Sequence, residues 1–392
     1  MSGSMNGPEP GLREPVAENG CPQPDPSRDG FENEKSDVSF SERRTGPSPE
    51  GDAMTKRVAA GARQSTIPQT MKAAAIDEFG PPSVLTPHRL PVRKPGPREV
   101  LIALRAAGVG SWDGLVRDGS WRPWGPKAKF PIVPGTDGAG IVVATGASVR
   151  KVHVGDSVWA CHYSNPKGGF YAEYIAVDAG SVGRVPEHLN LLEAGAAPMT
   201  GLTALQGVDG ALKLKRGESV LVVGAAGGVG TLAVQFAKLR GARVIGTASN
   251  PEAAALVRLL GAEAVIDARS PDSIRRLKEL APDGLDAVFA LAGGDGLERC
   301  IDFVRMNGRV AYPNGVEPVP RRRPNLRPLA YDGEYGPTEL AALERASVEA
   351  RLQVPLAATY PLDQAAAAHT RVVQGRLLGR IALRIREEGV AD

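Results

Sequence analysis

A doubly wound, parallel α/β sheet preceded by a compact, mostly β domain is the fold class predicted for this chain of 392 residues. Three observations predict it. Short strand-like runs broken by Gly and Pro fill the text from Met71 to Leu189. Beyond that point, apolar runs alternate with stretches of helical periodicity. At the first junction of the alternating part, Gly224 to Gly230, four of seven residues are glycine. Evenly spaced short strands suit a barrel or irregular sheet, and strand alternating with helix gives βαβ units. The length suits two domains better than one core.

The early strands are the runs EVLIALRAAGV, GAGIVVATG, GDSVWAC and AEYIAV. SVLVVGA is continuously apolar, as a parallel strand buried on both faces must be. TLAVQFAKLR follows with Leu232, Phe236 and Leu239 on helical spacing. Gly241 stands where a left-handed cap is wanted, with Lys238 and Arg240 in the last turn, where cations suit the helix dipole. ARVIGT is the next strand and PEAAALVRLL the next helix, with Pro251 at its first position and Gly261 after it. The strand runs AVID, LDAVFALA and GRVAYP then alternate with the helical runs PDSIRRLKEL and DGLERCIDFV, and TELAALERASVEARL forms a last helix. No internal repeat of solenoid spacing is present.

Composition narrows the function classes. With 42% hydrophobic and 23% charged residues the chain is an ordinary soluble globular protein, and no apolar run approaches the ~18 residues of a membrane helix. A net charge of +3 is too small to argue for a nucleic-acid or membrane partner. Arg321 to Arg323, between prolines, reads as a solvated loop in preference to a phosphate or RNA contact. The three cysteines, Cys21, Cys161 and Cys300, are too widely spaced for a disulfide framework or a Cys-x-x-Cys metal site, which fits a reducing cytoplasm. Residues 1–70 carry almost no apolar periodicity and are expected to be a disordered tail. They lack the apolar core of a secretory signal, and their acidic residues argue against a mitochondrial presequence. A regulatory extension and an overlong start assignment both remain open.

A glycine-rich turn between strand and helix serves two demands, a sharp reversal and the close approach of a pyrophosphate to the first helical N–H groups. The glycines Gly224, Gly227 and Gly230 are spaced evenly by three, a variant of G-x-G-x-x-G in the βαβ context that the motif requires. The expected cofactor-binding residues are thus Gly224, Ala226, Gly227, Gly228, Val229 and Gly230. An NAD site usually places a carboxylate at the end of the second strand. Here that strand ends with Ser249 and Asn250, which would not repel the 2'-phosphate of NADP(H), and Ser249 can donate to it. Arg258 reads as a solvent-facing helical arginine rather than a phosphate ligand.

From Met71 to Ile385 the sequence resembles the medium-chain dehydrogenase/reductase superfamily, in its zinc-free quinone oxidoreductase branch. The resemblance rests on AAGVGSWDGLVRDG from Ala106, FPIVPGTDGAGIVVATGASVRKVHVGDSVWA, GGFYAEYIAV, EAGAAPMTGLTAL, VLVVGAAGGVGTLAVQFAK, LGAEAVID and YPLDQAAAAHTRVVQGRLLGRIALRI. It implies a GroES-like catalytic domain over 71–189 that returns at 353–389, with a Rossmann dinucleotide-binding domain over 190–352 inserted in it. The active site would be the cleft between them, and the assembly a homodimer. Zinc-dependent relatives carry Cys and His where Gly110 and Thr136 stand, so the three ligands of an open catalytic zinc are missing. The pair Cys161 and His162 lacks a third ligand, and no metal is expected. Hydride must then go to an acceptor that is already electron-poor, such as a quinone or an enone, with the protein supplying position and hydrogen bonds.

Zinc-free relatives often have Asn at the position of Gly110 and Tyr at those of Leu115 and Trp121, so the catalytic candidates reduce to Ser111, Trp112, Thr136 and Tyr163. Ser111 and Trp112 can equally just shape a loop. Thr200 matches the family threonine near the nicotinamide ribose, against helix capping. Gly293 and Gly294 match the strand end beside the nicotinamide. Trp112, Trp121 and Trp124 can wall an aromatic pocket or pack a core. The family tyrosine after VID is replaced by Ala268, which predicts a moderate NADPH preference. The leading expectation is therefore a metal-free, NADPH-dependent reductase of a quinone, enone or related carbonyl compound. A zinc-free alcohol dehydrogenase or biosynthetic reductase is the alternative among enzymes, and a non-catalytic NADPH-binding sensor or RNA-binding protein is the alternative outside them.

Overall fold

The computed structural model describes residues 67–122, 129–163, 165 and 168–386. Residues 1–66 of the expected tail and Trp124 lie outside the described residues, while Thr70, placed in the tail by the sequence reading, begins the first strand. A hairpin of β1 (Thr70–Ala75) and β2 (Thr86–Pro91) leads into β3 (Glu99–Val109), helix α1 (Ser111–Asp118), β4 (Asp137–Thr145), β5 (Ser157–Cys161), β6 (Tyr174–Asp178) and β7 (Val182–Arg184). Two short helices, α2 (Leu191–Gly195) and α3 (Pro198–Gln206), carry the chain across to a second sheet. There β8 (Ser219–Val223), α4 (Gly228–Leu239), β9 (Arg243–Thr247), α5 (Pro251–Leu259), β10 (Ala264–Ile266), α6 (Ser273–Leu280), β11 (Leu285–Ala290), α7 (Asp295–Ile301), β12 (Val304–Pro313), β13 (Leu329–Tyr331) and α8 (Pro337–Ala350) follow in turn. The chain then returns to the first sheet with β14 (Leu356–Pro361), α9 (Ala365–Val373) and β15 (Arg380–Arg384).

The second sheet has six strands in the order β10-β9-β8-β11-β12-β13, every pair parallel. Chain direction across the sheet reverses between β8 and β11, and ligands of such sheets bind outside the carboxyl ends of the strands at that point. All five residues of β8 are buried, which is why its text is apolar without alternation. The local signals act as expected: Gly241 takes φ +74 after α4, Gly261 takes φ +118 after α5, and Pro251 begins α5. Asn250, expected only as a cofactor residue, also caps that helix, its side chain accepting from Ala253 N–H at 2.8 Å.

The first sheet has seven strands. Its path runs β14-β15-β3-β4-β5-β7, with β6 also paired to β3. The pairing of Ile381 to Val109 and Leu383 to Ala107 makes the return strand integral to it. One buried cluster, including Ile102, Leu104, Phe170, Tyr171 and Leu383, fills this domain, and two others cover the faces of the parallel sheet.

Three details differ from the sequence reading. Ser111 and Trp112 open a helix and not a loop, because Asp113 accepts from Gly110 N–H at 2.7 Å and starts the turn. The strand Leu329–Tyr331 was not expected. Arg321 and Arg322 are exposed as expected, but Arg323 is only partly exposed: it binds the Glu298 carboxylate at 2.6 Å, the Asp302 carboxylate at 2.8 Å and the Glu298 carbonyl, fastening the loop to α7.

Candidate active site

A groove of about 810 Å³ runs along the carboxyl ends of β8, β9, β10 and β11. The strands deliver one short segment each: Gly224, Ala226, Gly227 and Gly228 after β8, Thr247 to Asn250 after β9, Asp267 to Arg269 after β10, and Leu291 to Gly294 after β11. Residues 375–378, just before β15, close the far side. Of the expected cofactor residues, Gly224, Ala226, Gly227, Gly228, Ser249, Asn250, Gly293 and Gly294 are thus brought together.

Thr200, Val229 and Gly230 are not on the groove wall. Thr200 is buried in α3, and its hydroxyl turns back toward the Ala196 and Ala197 carbonyls at 3.3 and 3.2 Å. Val229 packs against the core. Gly230 lies where any Cβ would run into the Gly224 carbonyl, so its role is close packing of α4 on the turn.

The turn itself is held at three points. Gly224, at φ +81, donates its N–H to Thr247 Oγ1 at 3.0 Å, and Gly227 N–H returns to the Gly224 carbonyl at 3.0 Å. From the other domain, Gly379 N–H donates to the Ala226 carbonyl at 2.8 Å. The groove also contains charges that sequence reasoning missed: Arg269, Arg299 and Arg376, with Asp267 and Asp295. Arg269 reaches the Asp267 carboxylate at 3.3 Å, which holds that carboxyl below its ordinary range despite partial burial. Asp267 to Arg269 could have been found, since they follow a strand of the parallel sheet at its carboxyl end. Arg258 is exposed on α5 and away from the groove.

Beyond the glycine turn, Trp112 donates its indole N–H to Thr136 Oγ1 at 2.7 Å. A Cβ on Gly110 would lie 2.5 Å from Trp112 Cε2 and 2.6 Å from Cζ2, so the indole occupies the space that a longer residue at 110 would need. Ser111 is exposed on the first turn of α1. Tyr163 hydrogen-bonds the Gly333 carbonyl, and burial pushes its phenol well up. It sits edge-to-face with Tyr335 (4.9 Å between centroids) and with Trp121 (6.0 Å). Tyr335, which was not expected, also faces His162, with its hydroxyl 3.3 Å from Nδ1. Catalytic-domain and nucleotide-domain residues thus share one aromatic wall.

Behind Trp112 lies a buried polar network. Arg117 Nη1 is 3.1 Å from His369 Nδ1. A guanidinium only donates, so Nδ1 accepts and the imidazole proton sits on Nε2. Nε2 is 3.1 Å from Tyr171 Oη, whose O–H then donates to Asp113 Oδ2 at 3.3 Å. Burial and the Arg117 charge push His369 down to about 3, keeping it neutral. Burial also raises Asp113 to about 7, although the Gly110 N–H holds its carboxylate. Beside it, the buried Arg380 donates to the Ala196 carbonyl at 2.8 Å and the Val109 carbonyl at 3.1 Å, with Asp137 at 3.8 Å.

Two family models match: an alcohol dehydrogenase GroES-like domain over residues 96–187 and a zinc-binding dehydrogenase domain over 228–317. The mouse quinone oxidoreductase is 30% identical, over 79% of this chain and 96% of its own. The chain belongs to the medium-chain dehydrogenase/reductase superfamily. Within it, the quinone oxidoreductase-like branch is supported by the Escherichia coli quinone oxidoreductase complexed with NADPH, at a TM-score of 0.69 and 26% identity over 80% of this chain and all of that one. An NAD-dependent alcohol dehydrogenase structure matches at a TM-score of 0.74 and 30% identity over 81% of this chain and all of that one. This superfamily member is an NAD(P)H-dependent oxidoreductase with a Rossmann-like sheet and a GroES-like domain.

The zinc named in one of those family models does not fit the residues present. Gly110 has no side chain to ligate, Thr136 accepts from the indole, and Cys161 is fully buried with its thiol raised well above the ordinary range. Among the described residues no group of three or more His, Cys, Asp or Glu side chains is placed to hold a metal. A nicotinamide dinucleotide does fit. Gly227 and Gly228 leave the start of α4 open on the groove, where the N-terminal N–H groups of a helix receive a pyrophosphate.

Proposed function

We propose that this enzyme is an NADPH-dependent, zinc-independent reductase of quinones, enones or related small carbonyl compounds. The observation that carries the reading is the Trp112 indole. It fills the space over Gly110 and donates to Thr136, so the position from which a metal would polarise a carbonyl is held by an apolar ring. An acceptor must then be activated by its own conjugation.

The groove residues bind and orient. The turn at Gly224 to Gly228 with the start of α4 would hold the pyrophosphate, and the strand end at Leu291 to Gly294 would support the nicotinamide. When bound, the reduced nicotinamide supplies a hydride. Three arginines against two aspartates line the groove, and Ser249 lies near Arg269, whose Nη2 is 3.5 Å from the Ser249 carbonyl. A 2'-phosphate placed there meets Arg269, and Arg376 from the return segment also faces the groove. Trp121, Tyr163 and Tyr335, half-buried and packed edge to face, form an aromatic group suited to a planar acceptor.

The test is NADPH oxidation against a panel of ortho- and para-quinones, enones and simple alcohols, before and after dialysis with a strong chelator. Turnover of quinones or enones, unchanged by the chelator, is expected. Activity lost to the chelator and restored by zinc would overturn the metal-free reading. Micromolar NADPH binding with no turnover of any acceptor would favour the sensor alternative.

A further inference from the structure

Asp113 is fully buried, yet one of its two carboxylate oxygens is left over. Oδ2 receives the Gly110 N–H at 2.7 Å and the Tyr171 O–H at 3.3 Å, whereas Oδ1 has no hydrogen-bond partner among the described residues. An orphaned carboxylate oxygen in the interior is costly unless the carboxyl is protonated or meets a water. A small cavity adjoins it. Asp113, Val116, Thr136, His162, Tyr163 and Asn165 are among its lining residues, and its volume of about 10 Å³ is room for a single water. Thr136 also accepts the Trp112 indole N–H, and Tyr163 belongs to the aromatic group with Trp121 and Tyr335. The cavity therefore joins a buried carboxyl to the aromatic group beside which the reductase reading seats the acceptor.

We propose that Asp113 is the proton donor of the reduction, delivering a proton from Oδ1 through one water in this cavity to the oxygen of the acceptor; this rests on the reductase reading above. An enone or quinone that has taken up a hydride has gained two electrons, and its displaced electron pair rests on an oxygen that needs one proton. The Asp113 O–H bond breaks as its proton passes to the water. A different proton of that water forms the new O–H bond on the product, and the water is regenerated. Asp113 is left as a carboxylate and regains a proton from solvent before the next turnover. The carboxylate formed is not abandoned: Gly110 N–H and Tyr171 O–H continue to donate to it, and Arg380 is the nearby cation.

The charged and titratable neighbours among the described residues lie on several elements. Asp137 on β4 opposes ionisation, and Arg380 on β15 favours it. Tyr171 lies on the segment before β6 and is itself raised by burial, so it remains a donor. His369 on α9 is neutral, Arg117 on α1 binds it, and His162 and Tyr163 lie across the cavity with burial acting on both against ionisation. Burial dominates at Asp113, and the result is a carboxyl pushed up to about 7, still holding a proton near neutrality.

The experiment uses the full chain, Asp113→Asn and Tyr171→Phe. The infrared carbonyl band of a protonated carboxyl is followed against pH in cofactor-free protein, and kcat against pH is measured with NADPH and an enone. The wild type should show a band that disappears near pH 7 and a kcat that falls with it, together with a solvent deuterium isotope effect. Asp113→Asn should lose the band, bind NADPH normally by nicotinamide fluorescence, and turn over about 100-fold more slowly with a flat profile. Tyr171→Phe removes a donor that stabilises the carboxylate, so both the band and the kcat inflection should move to higher pH. Should Asp113→Asn not fold, that shift alone decides. A wild-type pH profile in Asp113→Asn, or a kcat inflection in Tyr171→Phe that does not follow the band, overturns the proton donor while leaving the reductase reading intact. Absence of turnover by the wild type with every acceptor overturns both.

Discussion

Replacing Gly228 by alanine should cost stability as well as cofactor affinity, and the structure sets the size of both effects. A Cβ at 228 would stand 2.8 Å from Arg380 Cδ and 3.7 Å from its Cγ and Nη1. Carbon atoms in contact sit about 3.5–4.0 Å apart, so Arg380 must retreat by roughly 0.7 Å or more. It has little room, because its Nε and Nη1 are committed to the Ala196 and Val109 carbonyls and the side chain is 5% exposed. Hydrogen bonds of a charged group contribute about 1.5–3 kcal/mol each, so weakening both gives a loss on the order of 2–4 kcal/mol. For a protein of this size that lowers Tm by roughly 3–6 °C. Gly228 also lines the groove at the start of α4, where the pyrophosphate is proposed to bind, and an NADPH affinity at least about tenfold weaker is expected, equivalent to about 1.4 kcal/mol. Gly228→Val should be worse on both counts and should not keep a native melting curve. Gly227→Ala is the control: its Cβ would meet only the Gly224 carbonyl, at 3.3 Å, so Tm should stay within a degree or two. Differential scanning calorimetry and a nicotinamide fluorescence titration measure the two quantities. A Gly228→Ala protein that melts with the wild type would refute the argument that Arg380 is pinned.

Other outcomes follow from the same geometry. Ser249→Asp should move preference toward NADH, and Arg269→Ala should weaken NADPH several-fold while leaving NADH nearly unchanged; tighter NADH than NADPH binding in the wild type would contradict the phosphate site. The double variant Gly110→Cys/Thr136→His should not acquire stoichiometric zinc by elemental analysis, because the Trp112 ring occupies the space at 110. Asp113 also predicts a pH dependence of stability. Its folded pKa of about 7 exceeds the ordinary aspartate value of 3.8, so the folded state holds the extra proton between those values, and this group's contribution is lost as pH rises through about 7. His369 acts in the opposite sense, since a folded value near 3 removes stability as pH falls below about 6.5. Comparing Tm against pH for the wild type and Asp113→Asn isolates the first effect.

What could be read from the sequence was local. β8, the glycine turn and α4 are contiguous, and apolar runs bounded by Pro251, Gly241 and Gly261 announce themselves within a few residues. Leu329–Tyr331 escaped notice because three residues in a stretch rich in proline and arginine carry no periodicity; pairing to β12 makes them a strand. The cofactor groove was half legible for the same reason. Its glycines form a motif, whereas Arg376 arrives on a segment that becomes part of the groove only after the return crossing. The buried network was invisible. Tyr171 stands 58 residues from Asp113 and 198 from His369, and nothing in either neighbourhood marks them as partners. Thr200 shows the converse, a motif match whose hydroxyl turns back into its own helix.

The return strand also fixes an order of events in synthesis. Arg380 lies 271 residues after Val109, whose carbonyl it binds, and β3 needs β15 along one edge. The parallel sheet, by contrast, has all its strands once Tyr331 has been made. On a ribosome the nucleotide-binding sheet can therefore close while the first sheet waits with a bare edge, exposed to pairing with other chains. A chain released before residue 380 would keep its glycine turn and arginines but present an unfinished sheet, so damage at the last strand should surface as aggregation of the first domain, hundreds of residues upstream.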